Sequence, residues 1–139
     1  MSAKELLRAV REAENKYRIS KELAERSRYK LAYRGQEISG ADKSPVSRDN
    51  TYENNLVNML DLDERAKKDK TAFLRLRTEV IDIINSLDDL KEREILISRY
   101  IYYEDWNRIA EKMNYSPRRI FYIHGSALKN FSKVCSKVQ

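Results

Sequence analysis

Apolar residues recur along the first third of the chain at helical intervals. Leu6, Val10, Ala13 and Tyr17 form one stripe within a stretch rich in Glu, Lys, Arg, Leu and Ala, which predicts a helix from Ala3 to about Tyr33. Beyond Tyr17 the stripe thins to Ser20, Ala24, Ser27 and Leu31, too polar to bury well by itself. Gly35 is the expected end of this helix, since glycine accepts the left-handed conformation of a C-terminal cap. Gly40, Pro45 and three serines then predict an exposed connection over residues 35–50. A second helix is expected from about Thr51 to Ser86. Its first half offers Leu56, Leu60 and Ala66 as apolar contacts, and its second half puts Phe73, Leu76, Val80, Ile83, Ile84 and Leu87 on one face. Helices of roughly 30 residues would each run about 45 Å. With such narrow apolar faces they need each other, or a second copy of the chain, so an antiparallel hairpin and a homodimer through it are both expected.

The pattern tightens after residue 86. Asp88 and Asp89 are placed to cap a helix from about Leu90 to Tyr102, with Leu90, Ile95 or Leu96, Ile97, Tyr100 and Ile101 toward a core. Glu104 and Asp105 precede a short helix on which Trp106, Ile109, Ala110 and Met113 share a face, and acids suit the positive end of its dipole. The chain then turns at Asn114 and Tyr115. Ser116 suits an N-cap and Pro117 the first helical position, and Ile120, Ile123, Ala127, Leu128 and Phe131 continue as a helical stripe.

This spacing fits a helix-turn-helix. Ala110 supplies a small residue where two helices cross, Asn114 tolerates a positive φ in the turn, and Tyr115, Ile120 and Ile123 supply apolar contacts after it. The reading is therefore an all-α chain with a long N-terminal helical hairpin over residues 1–86 and a helix-turn-helix domain over 87–139. In such a motif the N-terminal residues of the second helix enter the major groove. Arg118 can read guanine in bidentate fashion, and Arg119 can do the same or take a phosphate. Phe121 and Tyr122 either touch thymine methyls and sugars, or belong to the core or to an interface with another protein. Ser116 and Pro117 stand beside them, and Lys129 and Lys133 fall later, where backbone or solvent is nearer. Asn107 and Arg108 are placed to reach a phosphate; the competing reading pairs Arg108 with Glu111 or Glu104.

Charge sharpens this picture. The chain has 139 residues and a net charge of +6, and residues 116–139 hold Arg118, Arg119, Lys129, Lys133 and Lys137 with no acid. Such a cluster attracts polyanions because it displaces condensed counterions from phosphates, although a solvated helix face looks the same. Composition closes other routes. Three Gly and two Pro cannot supply the turns of an all-β sandwich or barrel, and no Gly-rich loop is present for a dinucleotide. One cysteine, Cys135, and one histidine, His124, cannot assemble an ordinary zinc site, so neither metal nor cofactor is expected. His124 has no recognisable partner and reads as a surface or satisfied side chain. Cys135 reads as part of a polar tail, and Glu92 and Glu94 as charges at a helix start. No nucleophile stands with a base, so the chain is not expected to be an enzyme. Apolar runs are only a few residues long, and the N-terminus lacks the apolar core of a signal peptide, which predicts no membrane span and a cytoplasmic protein.

The segments from Leu87 through Ile101, Trp106-Asn-Arg-Ile-Ala, and Ser116-Pro-Arg-Arg-Ile-Phe-Tyr-Ile-His-Gly-Ser-Ala-Leu together resemble region 4 of sigma-70-type factors, the part that reads a promoter element. The resemblance covers about residues 86–131. With long helices ahead of it, the Ile-His-Gly-x-Ala-Leu ending is similar to phage-encoded regulators of the ArpU/RinA type. That resemblance implies a late-gene transcription activator of a phage or prophage, working on double-stranded DNA in the cytoplasm of a bacterial host, with RNA polymerase as a candidate partner. It places Pro117, Arg118, Arg119, Phe121 and Tyr122 at the start of the recognition helix. Sigma proteins usually carry a polar residue where Phe121 and Tyr122 stand, and no promoter-melting region is visible upstream, so a complete sigma factor is not implied. Two other classes fit the same residues: a phage terminase small subunit, which recognises a packaging site, and a helical adaptor that binds protein.

Overall fold

A computed structural model describes residues 2–39 and 45–138, with the side chains of 2–33 and 51–137. The fold is all-α. In chain order the helices are α1 (Ala3–Ser39), α2 (Pro45–Asn85), α3 (Leu90–Leu96), a π-helical turn (Ile97–Ile101), α4 (Trp106–Met113) and α5 (Pro117–Val138). Among the described residues no helix is long and apolar enough to cross a membrane.

Two of the expected boundaries move. α1 does not stop at Gly35 but continues to Ser39. One glycine inside a helix costs only about 1 kcal/mol, which neighbouring good helix formers offset. Likewise Pro45 opens α2 where a break was expected, because a proline in the first turn forfeits no hydrogen bond. Of the connection expected over 35–50, residues 40–44 lie outside the described residues and the remainder is helical.

The chain divides into two compact units. Unit 1 comprises Met1–Glu12 with Leu74–Gln139, and unit 2 is Ala13–Phe73. Residues 1–12 and 74–86, grouped with the hairpin in the sequence reading, thus belong to the same compact unit as 87–139.

In unit 2, α1 and α2 run antiparallel. Tyr17 stacks on Phe73 with ring centroids 6.3 Å apart, Lys16 lies 3.9 Å from Asp69, and Arg28 pairs with Asp63. Ser20 and Ala24 are buried, against the expectation that this stretch is too polar. The Ser20 hydroxyl resolves the conflict by donating to the Tyr17 carbonyl at 3.0 Å, which satisfies the group without a partner helix. Leu60, expected as a contact, is instead exposed.

Unit 1 begins with a reciprocal cap. The Glu5 amide donates to Ser2 Oγ (3.2 Å), and the Ser2 amide donates to Glu5 Oε2 (2.9 Å), which satisfies two donors that the first turn of α1 would leave unpaired. Ala3, Leu6, Leu7 and Val10 of that helix are buried, as are Val80, Ile83, Ile84 and Leu87. Asp89 caps α3 by accepting from the Lys91 amide at 2.8 Å. The helix expected to continue to Tyr102 widens after Leu96. The Tyr102 amide donates to the Ile97 carbonyl five residues back (3.1 Å), and Tyr103 then takes φ 57°. Ile95, Leu96, Ser98 and Ile101 are all buried across this widened turn. Leu90, expected in the core, is 72% exposed.

Candidate nucleic-acid interface

Three elements of unit 1, α3, α4 and α5, meet in a tight apolar cluster. Ile95, Ile109, Ala110 and Ile120 are buried at its centre, with Trp106, Met113, Tyr115 and Ile123 packed against them. Asp105 starts α4 by accepting from the Arg108 amide at 2.8 Å. Asn114 ends it in the left-handed conformation (φ 57°, ψ 40°), where asparagine is among the few side chains tolerated. The Tyr115 amide then returns to the Ala110 carbonyl at 3.0 Å, closing the turn. Ser116 Oγ accepts from the Arg119 amide at 3.2 Å, and Pro117 opens α5. The turn expected at Asn114 and the cap expected at Ser116 both have the anticipated local geometry.

This framework leaves one edge of α5 open. Arg118, Arg119 and Lys129 are exposed; Phe121 is 50% and Tyr122 81% accessible. Arg118, Phe121, Tyr122, Gly125 and Lys129 follow helical spacing along that edge. A Cβ built on Gly125 would meet nothing within 4 Å, so the glycine leaves a bare strip of backbone on the surface and is not required by internal packing. Phe121 is only partly free, because its ring meets Trp106 edge-on at 5.1 Å. Asn107 is exposed on the first turn of α4. Arg108 is exposed as well, and its Nε lies 3.9 Å from Glu104, so the pairing with Glu104 is realised, though loosely. Such an exposed pair contributes little and leaves the guanidinium available.

Several neighbours of this edge were not apparent in the sequence. The Arg119 guanidinium lies over the Tyr115 ring at 4.6 Å and the Lys91 ammonium at 5.3 Å. Lys91, first by hydrogen bonding and then by charge, with Arg119 adding to it, holds the Tyr115 phenol below its usual range. Arg99 lies 4.6 Å over Trp106. His124 is half-buried and does have partners: Nε2 sits 2.7 Å from Tyr100 Oη, and the ring meets Trp106 edge-on at 4.7 Å. Cys135 is a buried core residue of α5, not part of a polar tail. Glu92 stands in the first turn of α3 as expected, but it is buried there: it accepts from Ser126 Oγ at 2.8 Å and from Asn130 Nδ2 at 2.9 Å, and so also ties α3 to α5.

Burial, and after it the charges of Lys4 and Arg99, hold the His124 imidazole below its ordinary value of 6.5. A base that binds protons more weakly folded than unfolded contributes stability that is full above the unfolded value and lost as pH falls through the folded one. The melting temperature of unit 1, followed by the fluorescence of Trp106, should therefore fall as pH drops below about 6.5. The fall should be smaller in a His124→Gln chain; equal falls in both would contradict this assignment.

Among the described residues no group of acids, histidines and cysteines could hold a metal ion. Compared with known proteins, the chain matches no family model, no curated protein and no solved structure.

Proposed function

We propose that the chain is a sequence-specific reader of double-stranded DNA that regulates transcription, with α5 entering the major groove by its N-terminal turn. The observation that carries this reading is the exposed arginine pair at the front of α5. Arg118 and Arg119 stand beside a hydroxyl-capped helix start, on a helix seated against α3 and α4, with no acid on α5 to repel a phosphate backbone. The α4–turn–α5 arrangement is read here as a helix-turn-helix. Arg118 is assigned a base, Arg119 a base or a phosphate, and Asn107, Arg108, Ser116 and Lys129 the backbone. The Ser116 hydroxyl keeps its proton for a phosphate while its oxygen caps the helix. Tyr122 and the open side of Phe121 supply apolar contact to thymine methyls or sugars. The resemblance to sigma region 4 and to ArpU/RinA-type regulators extends this to a phage or prophage activator in a bacterial cytoplasm, with RNA polymerase as a partner. Exposed Ile19, Leu23, Val57 and Leu60 in unit 2 give a homodimer apolar surface to use.

Selection of bound duplexes from a random library tests the reading directly. A recovered motif is expected, with affinity falling steeply as salt rises. On that motif Arg118→Ala should cost about 1–3 kcal/mol and relax one base pair, while Lys129→Ala should weaken all sequences alike. Equal losses on selected and random DNA for Arg118→Ala would remove the base-reading role. Absence of any salt-dependent affinity would leave a protein-binding adaptor, and a ring of many copies would favour a packaging subunit.

A further inference from the structure

Unit 1 contains a second basic cluster, carried by the opening turns of α1 and the π-helical turn. A cavity of about 300 Å³ is lined by Lys4, Leu7, Arg8 and Arg11 of α1 and by Arg99, Tyr100 and Tyr103 around the π-helical turn. Four cations and two phenols face it, and no carboxylate does. From these residues the geometry points to a phosphate-binding pocket, occupied by the phosphate group of an ester or of a nucleic-acid backbone.

Three observations support this. None of the four cations forms an ion pair with a carboxylate among the described residues, although six such pairs occur elsewhere among those residues. Glu5 is occupied in the cap with Ser2 and Asp105 in the cap of α4, and one oxygen of Glu104 takes the Lys112 ammonium at 3.3 Å. Second, two of the guanidinium groups are held in place. Arg11 lies over the Tyr103 ring at 4.9 Å, and Arg99 lies over Trp106 while donating to the Glu104 carbonyl at 3.0 Å. A fixed planar fork loses little freedom on meeting phosphate oxygens, and Arg pairs with them in bidentate fashion. Third, Lys4 and Arg8 are like charges four residues apart on one helix, a mutually repelling pair that an anion between them would relieve. Leu7, buried beneath them, makes the floor apolar and raises the strength of any charge contact above it.

His124, the chain's sole histidine, is a built-in reporter because it bonds to Tyr100 of the pocket and feels Lys4 and Arg99. Titrating the full chain with inorganic pyrophosphate at low ionic strength, while following the imidazole resonance, tests the assignment. Saturable binding is expected, and the imidazole titration should move upward as the bound anion offsets those two cations. A Lys4→Gln, Arg8→Gln chain changes only exposed positions and should bind pyrophosphate at least about tenfold more weakly. Lys129→Gln, on the α5 edge, should bind as the parent does. No saturable binding, or equal affinity in the double variant, would overturn the pocket. The source of the phosphate is resolved with a random-sequence duplex. A salt slope reduced by about one or two in the double variant identifies the DNA backbone. An unchanged slope alongside lost pyrophosphate binding identifies a free phosphate ester. Because the first arm contains no DNA, its outcome is independent of whether α5 reads a duplex.

Discussion

Replacing Phe131 by Ala is expected to destabilise unit 1 by about 3–5 kcal/mol, as truncation of a fully buried aromatic does. The side chain has no accessible surface, and it lies on the α5 face that also buries Ile120, Ala127 and Cys135. The same substitution at Phe121 should cost only about 1 kcal/mol, the scale of its edge-on contact with Trp106. Phe121→Ala is therefore a clean probe of binding, whereas Phe131→Ala reports only on the fold. Urea unfolding of the two chains separates them, and similar losses would mean that the two faces of α5 are not as distinct as their burial implies.

Glu92→Ala is the second large effect, at about 2–4 kcal/mol. Removing the carboxylate deprives Ser126 and Asn130 of their acceptor and leaves the Asn130 amide part-buried without it. Glu92→Gln keeps an oxygen in place and should recover more than half of the loss. Thermal melts of the three chains check this. A Gln variant as unstable as the Ala variant would show that shape and acceptor capacity are not what Glu92 supplies.

The legible part of this fold was the part governed by local chemistry. Asp89, Asp105, Ser116 and Asn114 announce helix ends because each solves a hydrogen-bonding or backbone problem within three or four residues of itself. The stripe Ile120, Ala127 and Phe131 was legible for the same reason, since one helical period decides which face is buried. What escaped depends on contacts between distant residues. Nothing near Glu92 in the chain reveals Ser126 and Asn130, so its acidity alone suggested an exposed helix start. The π-helical turn escaped because its sequence carries ordinary helical periodicity. Gly35 misled in the opposite sense: a weak local preference for ending a helix was outweighed by the helix on both sides. On the α5 edge, exposure of Arg118 and Arg119 followed from spacing. Lys91 reaching over Tyr115 did not, because it arrives from another helix.

The order in which the two compact units use the chain has its own consequence. Unit 1 is assembled from two separated segments, and unit 2 is inserted between them, entered after Glu12 and left after Phe73. A ribosome therefore delivers Leu6, Leu7 and Val10 long before Ile84, Ile95 or Phe131 exist, and unit 1 has to wait for the whole insertion before it can close. Unit 2, contiguous in the chain, has no such delay. Excising residues 87–139 as an independent fragment would discard the apolar surface contributed by the opening turns of α1 and the closing turns of α2. An excised piece that keeps those turns has to join them across the gap with a designed connector.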